Sequence, residues 1–441
     1  MVNEAREIVE ELTKAGFVAY FAGGCVRDIL LHKEPDDIDI ATNAKPEEIE
    51  KLFDDTIDVG KKFGVVLVKS GKNYFDVATF REEGPYLDKR RPDWIKFSSE
   101  EEDAKRRDFT INGMFLDPIK NKVIDYVNGQ EDLKRGIIRF IGNPEERIEE
   151  DNLRLVRAIR FKITLNFQYA NQTFETISKF SKLIKNVSPE RIRNEINKIL
   201  TSPRRHIGLT ELVQSKITDF VIPEINTLKG VPQPIEYHHE GDVFTHTYLA
   251  LKSMPSNAPL HLVWAVLLHD IGKPQTLIRE GERIIFHDHA KVSADISKNI
   301  LIRLKFSRIE IRSICYLVEN HMKIAQIDKM RPNKQLSFLL NPLFEDLIEL
   351  VRADAKGTYP VNLDFIKKLE QSVELAKKQK TKISAKTELL KIFTGDNLKE
   401  LGYNPSREFK TILENVRDKI LSGEISSTEQ AKKYVLENYK Q

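Results

Sequence analysis

The stretch Phe21-Ala22-Gly23-Gly24-Cys25-Val26-Arg27-Asp28, followed by Pro35-Asp36-Asp37-Ile38-Asp39-Ile40, decides how this chain begins to fold. Val18 to Phe21 reads as a short strand entering the Gly23-Gly24 turn. Val26 to His32 has helical patterning, so Gly24 and its neighbours present amide N–H groups at a helix start. Asp37 to Ile40 alternates carboxylates with β-branched residues and reads as a strand. Residues two apart on a strand share a face, so Asp37 and Asp39 converge while Asp36 turns away. Two carboxylates held that close repel unless a cation lies between them. Hard oxygen ligands beside a glycine turn suit Mg²⁺ carrying a nucleoside triphosphate. A solvated Asp pair at a strand edge is the alternative, and the glycine turn upstream weighs against it.

Outward from this stretch, residues 3–15 read as a helix, and Pro46 to Phe53 as another with proline in its first turn. Val65 to Val68 and Tyr74 to Phe80 alternate like paired strands joined by Ser70-Gly71-Lys72. Asp76 on the second of them is placed to supply a third carboxylate, though an ordinary strand-surface Asp would look the same. Glu82 to Glu102 is charged and proline-interrupted, and predicts a long flexible loop. Arg107 to Phe115 and Val123 to Tyr126 add strand or helix-entry material. From Glu145 onward the patterning is almost wholly helical. The fold class expected is α+β: a small mixed α/β head (1–140), a helical neck (141–230), a helical body (231–360) and a helical tail (361–441).

The chain has 441 residues, too many for one ordinary core. Its 40% hydrophobic and 31% charged content fits a soluble globular protein, and no apolar stretch approaches the roughly 20 residues that span a bilayer. The first residues carry acids where a secretory signal needs a basic start. Only Cys25 and Cys315 are present, which excludes a disulfide framework and fits a reducing cytoplasm. Net charge is only +3, so nucleic-acid binding has to be argued from local clusters such as Lys89-Arg90-Arg91 and Lys105-Arg106-Arg107. Interspersed acids make solvated helix faces the competing explanation.

Four motifs occur in order: Gly23-Gly24-x-Val26-Arg27-Asp28; Asp37-x-Asp39; Arg106-Arg107-Asp108-Phe109-Thr110-Ile111-Asn112; and Glu150-Asp151-x-x-Arg154-x-x-Arg157-Ala158-x-Arg160-Phe161. Together they resemble the class II tRNA nucleotidyltransferases, which include CCA-adding enzymes and bacterial poly(A) polymerases. The resemblance covers roughly residues 17–200. It implies a nucleotidyltransferase head using Mg²⁺, with CTP, ATP and the 3′ end and acceptor stem of tRNA as partners. Asp37, Asp39 and Asp76 would be catalytic, the first two as metal ligands. Gly23, Gly24, Arg27, Asp28, Arg106, Arg107 and Asn112 would contact the nucleotide.

A single helix is expected from about Glu149 to Leu165. In relatives of this kind an Asp and an Arg one turn apart read the base edge, and Asp151 and Arg154 match them. Cytosine and adenine both offer an amine donor beside an acceptor, the reverse of uracil and guanine. Arg157 neighbours Arg154, whereas Arg160 falls nearly opposite Asp151 and is expected to act behind them or on a phosphate of the tail. A helix laced with intrahelical ion pairs is the alternative. Asp88-x-Arg90-Arg91-Pro92 resembles the flexible loop of CCA-adding and A-adding members. Ser188 to Glu195 matches a further segment, read as a helix start with structural ion pairs.

Downstream, His246, His269-Asp270, His289, His321 and Asp354 follow the order H…HD…H…H…D and resemble the HD phosphohydrolase superfamily. Imidazoles mixed with carboxylates suit a second divalent metal, Mn, Ni, Fe or Mg. Lys273 is a candidate phosphate contact, His287 is a rival to His289, and Asp242 has no evident task. The resemblance implies phosphatase or cyclic phosphodiesterase action on RNA ends. The lysine-rich tail resembles, by position, the part that grips tRNA. CCA addition leads. A-adding tRNA nucleotidyltransferase and poly(A) polymerase share the head motifs, and an HD phosphohydrolase with an RNA-binding head is the alternative of another class. A stringent-response nucleotide synthetase carries its hydrolase first, the reverse of this order.

Overall fold

Ile38, Ile40 and Val77 are fully buried. Burying each contributes roughly 1.5–3 kcal/mol. Because strand side chains alternate, that burial turns Asp37, Asp39 and Asp76 to the opposite face. The computed structural model describes residues 1–84, 93–234, 239–281, 283–324, 326–384 and 392–439. The chain divides into two compact units, Met1–Asn226 and Thr227–Gln441.

In the first unit, β1 (Ala19–Ala22), β2 (Asp39–Thr42), β3 (Thr56–Gly60), β4 (Val65–Ser70) and β5 (Asn73–Thr79) are followed by the short β6 (Arg81–Glu83) and β7 (Ile95–Phe97), then β8 (Met114–Asp117) and β9 (Lys122–Asp125). Seven of them form one sheet in the order β3-β4-β5-β2-β1-β8-β9. β2 pairs antiparallel with β1, with Ala22 opposite Asp39, and parallel with β5, with Ile40 level with Val77. That parallel register sets Asp39 and Asp76 side by side.

Several expectations need correction. Strand β2 begins at Asp39, so Asp37 lies just ahead of it in extended chain. β3 was not foreseen: it is an edge strand whose side chains are mostly exposed, so it carries no hydrophobic alternation. The segment Glu82 to Glu102 is not simply a loop. β6 and β7 pair as a hairpin tied by Lys96–Glu82 at 2.8 Å, and Glu100–Lys105 is a helix. Asp88, Arg90, Arg91 and Pro92 lie outside the described residues.

The helix foreseen from Glu149 to Leu165 is two, Pro144–Glu150 and Arg154–Leu165. The break is local chemistry. Asp151 leaves the helical region (φ −134°, ψ 105°), and its Oδ1 accepts the Leu153 N–H at 3.1 Å. Asn152 donates back to the Ile148 carbonyl at 2.6 Å. These side chains compete with the helical ladder and win.

Among its described residues the second unit is helical apart from the hairpin Leu277–Glu280/Arg283–Phe286, a further exception to the expected pattern. Helices Val243–Ser253 and Phe344–Gly357 pack closely where Gly357 meets Ala250: a Cβ there would lie 2.9 Å from the Ala250 nitrogen. Residues after 392 build their own small core from Phe393, Leu398, Ile412, Val416, Ile420 and Val435. Among the described residues no helix is long and apolar enough to cross a membrane.

Candidate active sites

Asp37, Asp39 and Asp76 each place a carboxylate oxygen within 4.8 Å of the others. Partial removal from water, the Asp37 charge and, more weakly, Asp76 push the Asp39 carboxyl up to about 6, despite the opposing Arg107 charge. Loss of water and the Asp37 charge raise Asp76 as well. Three hard oxygens that repel one another fit a divalent cation, which would relieve the repulsion. Gly23 lies beside Asp39. Its φ of +76° favours glycine, and a Cβ would come 2.8 Å from Arg107 Nη1.

Asp39 opens on a cavity of about 640 Å³ that also receives Gly23, Gly24, Arg27, Arg106, Arg107, Asn112, Asp151, Arg154, Arg157 and Arg160. Among the described residues, seven arginines line it against four carboxylates. Phe161 carries the guanidiniums of Arg160, Arg27 and Arg157 at 4.0, 5.2 and 5.4 Å from its ring centroid. Like charges gathered on one ring suit a polyanion such as a triphosphate. Asp28 is outside the cavity lining and holds Arg27 in a fork, 2.9 Å to each oxygen. Arg27 also donates to Asn112 at 2.7 Å.

The pair expected to read the base is arranged otherwise than the sequence suggested. Asp151 and Arg154 reach one cavity across a turn, not along one helix face. Asp151 accepts from Arg191 at 2.6 Å, while Arg154 donates to Glu150 at 2.6 Å and to the Arg147 carbonyl at 2.8 Å. Arg160 is not turned away. The helix starts at Arg154, so its projection from Asp151 fails; Arg160 lies one turn past Arg157 and pairs with Glu195 at 2.9 Å. The segment Ser188 to Glu195 does supply ion pairs, through Arg191 and Glu195. Arg106 and Arg107 share Asp103 at 2.7 and 3.0 Å.

Asp108 is the functional neighbour that sequence reasoning missed, although it stands inside a quoted motif. It accepts from Arg157 at 2.5 and 2.8 Å, from Asn112 at 3.1 Å and from the Phe109 N–H at 2.8 Å. Burial would raise its pKa, but Arg157 and Arg154 overcome burial and hold it at about 2. A depressed folded pKa means stability that is present above the unfolded value near 4 and lost as pH falls toward 2. At about 1.4 kcal/mol per unit this is on the order of 2 kcal/mol. Asp108→Asn should therefore flatten the fall in melting temperature between pH 4 and 2. An unchanged acid profile would refute the pairing.

In the second unit His246, His269 and Asp354 form one cluster, and Asp270, His289 and His321 another. Their atoms interleave. His246 Nε2 lies 2.9 Å from Asp354 Oδ1, His289 Nε2 3.4 Å from Asp270 Oδ1, and His269 Nε2 3.7 Å from Asp354 Oδ1. Four helices and the turn that ends helix Leu260–Leu268 bring together residues more than a hundred positions apart. Nδ1 of His269 and His321 faces main-chain carbonyls at 2.8 and 2.7 Å, which leaves Nε2 as the ligand atom. His289 and His321 set their Nε2 atoms 3.4 Å apart, where two lone pairs repel without a cation between them. The donor set fits a divalent metal. Burial and the charge of His269 push His321 down to about 4, whereas Asp270 and Asp354 carry His269 up to about 10 against burial.

Lys273 is buried and pairs with Asp270 at 2.7 Å. His287 is exposed and outside the cluster. Asp242 has a task after all: it caps helix Val243–Ser253 through the Thr245 N–H at 2.8 Å. A cavity of about 1240 Å³ adjoins the centre, lined by Lys273, Arg283, Phe286, Met322 and Leu363 among others.

Three family models match the chain: the poly A polymerase head domain over residues 19–139, a probable RNA and SrmB-binding site of polymerase A over 166–229, and the HD domain over 237–356. A CCA-adding enzyme of Ligilactobacillus salivarius is 46% identical over 216 residues, 49% of this chain and 53% of the relative, so that alignment spans about half the relative's length. A CCA-adding enzyme of Streptococcus suis is 32% identical over 431 residues, 97% of this chain and 94% of the relative. The crystal structure of the Bacillus stearothermophilus CCA-adding enzyme in complex with CTP superposes with a TM-score of 0.72 at 27% identity, covering 99% of this chain and 96% of that one.

Proposed function

Since the chain belongs to the CCA-adding enzyme family, we propose that it adds C and A residues to tRNA 3′ ends from CTP and ATP, without a nucleic-acid template. One observation carries this: the carboxylate cluster opens on the same arginine-lined cavity as Asp151 and Arg154. Asp37, Asp39 and Asp76 would hold Mg²⁺, which would supply neutralising charge for the attacking and leaving oxygens. Gly23, Gly24, Arg27, Arg106, Arg107 and Asn112 hold the triphosphate and ribose, with Asp28 steadying Arg27. Asp151 accepts from the exocyclic amine and Arg154 donates to the ring acceptor. Arg191 and Glu150 fix that reading pair, and Arg157 and Arg160 balance phosphate charge. Residues 1–140 and 141–230 carry this reaction, and residues 361–441 grip the tRNA. The reducing cytoplasm is the compartment that suits free Cys25 and Cys315.

The test is incorporation of each labelled triphosphate into tRNA lacking CCA, tRNA ending in CC, and an unstructured RNA. CCA addition requires C then A on the first and A alone on the second. Addition to the CC-ended tRNA only would make this an A-adding enzyme, and long A tracts on any RNA a poly(A) polymerase.

The six-residue centre and its cavity favour a second activity, hydrolysis of phosphomonoesters or cyclic phosphates at RNA ends by residues 231–360. His246, His269, Asp270, His289, His321 and Asp354 hold the metal, Mn, Ni, Fe or Mg. Lys273, already beside Asp270, faces the cavity where a phosphate would enter.

A further inference from the structure

The four histidines of the HD centre do not share one kind of support. His269, His289 and His321 each rest Nδ1 on a main-chain carbonyl, of Val266, Phe286 and Val318. His246 instead sets Nδ1 3.2 Å from Glu240 Oε1, on a carboxylate only 1% exposed. The second oxygen of Glu240 accepts the Tyr359 N–H at 2.8 Å. The His239 N–H returns to the Tyr359 carbonyl at 2.7 Å. Tyr359 belongs to the segment whose Thr358, Pro360, Val361 and Leu363 line the cavity. Buried Gln233 closes a circuit: its amide donates to Glu240 Oε1 at 3.3 Å and accepts from Lys273 at 2.7 Å.

We propose that Glu240 is a positioning residue that keeps His246 as its Nδ1–H tautomer, with Nε2 turned to the metal, while anchoring the cavity rim at Tyr359 to the same imidazole. A carboxylate behind a ligating histidine raises its basicity and fixes its ring. A main-chain carbonyl fixes the ring but adds no full charge. Glu240 therefore joins metal affinity to the Tyr359 side of the cavity rim through a charged group, which the three main-chain supports lack. The inference rests on the hydrolytic reading of this centre.

The experiment uses the full chain with Asp37 and Asp39 replaced by alanine, so that only the HD centre takes up ions. Mn²⁺ is titrated calorimetrically into this parent and into added Glu240→Gln and Glu240→Ala changes, and Co²⁺ absorption is recorded for each. Glu240→Gln preserves size and an acceptor for the Tyr359 N–H but loses the charge. It should weaken Mn²⁺ binding roughly 10-fold and shift the Co²⁺ spectrum, with a smaller drop in apo melting temperature than Glu240→Ala. Glu240→Ala should weaken it roughly 100-fold and also raise KM for hydrolysis of a cyclic nucleotide, because the rim is released. Parent-like Mn²⁺ affinity and Co²⁺ spectrum in both variants would overturn the role of Glu240 and leave the hydrolytic reading standing. A parent that takes up no Mn²⁺ would overturn both.

Discussion

Asp37→Ala is expected to lower CMP incorporation from CTP into tRNA lacking CCA by at least roughly 10³-fold, a loss typical of removing charge stabilisation at a reacting phosphate. The protein should remain folded, because Asp37 is exposed and lies ahead of β2. Asp39 should also titrate differently. The Asp37 charge helps hold its carboxyl up to about 6, so removing that neighbour returns it toward the ordinary carboxylate range. Any metal dependence that survives in the variant should then extend to lower pH than in the parent. Hydrolysis of a cyclic nucleotide should be unaffected, since its candidate ligands come wholly from residues 246–354. Addition within tenfold of the parent would show that Asp37 holds no catalytic metal, and an equal loss of hydrolysis would point to a global defect.

Arg154→Ala is expected to reduce discrimination of CTP against UTP by on the order of 10²-fold, as for a bidentate base contact worth about 1–3 kcal/mol. Triphosphate binding should suffer less, because six other arginines among the described residues line the cavity. Arg154 is only 7% exposed and bridges Glu150 to the Arg147 carbonyl, so truncation also strips partners from buried groups. Arg154→Lys separates the two effects. Lysine keeps the charge opposite Glu150 but lacks the planar fork that matches a base edge. The lysine variant should retain most of the stability and still accept UTP. If both variants reject UTP as strictly as the parent, Arg154 does not read the base.

Much of the head was legible because its signals are local. The Gly23-Gly24 turn, the alternation through Asp37 and Asp39, and the Val65 to Phe80 hairpin are set by residues within a few positions of one another. The His-Asp series was legible for another reason: side chains of rare type in a fixed order point to a shared centre even without distances. β3 and the β6–β7 hairpin were illegible because edge strands with charged or exposed side chains lack hydrophobic alternation. The break at Asp151 was hidden too. A helical repeat persists on both sides of it, and only the capping bonds of Asp151 and Asn152 reveal the turn.

From its residues alone this chain determined its fold class, its two metal-type donor sets and the family to which it belongs, since these depend on residue type, order and short-range spacing. Only the tertiary structure decided which partner each charge takes: Asp108 with Arg157, Arg160 with Glu195, Asp151 with Arg191, and Glu240 with His246. Three of these pairings join residues 35 to 49 positions apart. The fourth, six residues apart, is held by Tyr359 and Gln233, which both donate to the Glu240 carboxylate. Coulomb attraction is nearly blind to sequence separation, and burial chooses among many equivalent arginines and carboxylates by geometry that no local pattern encodes.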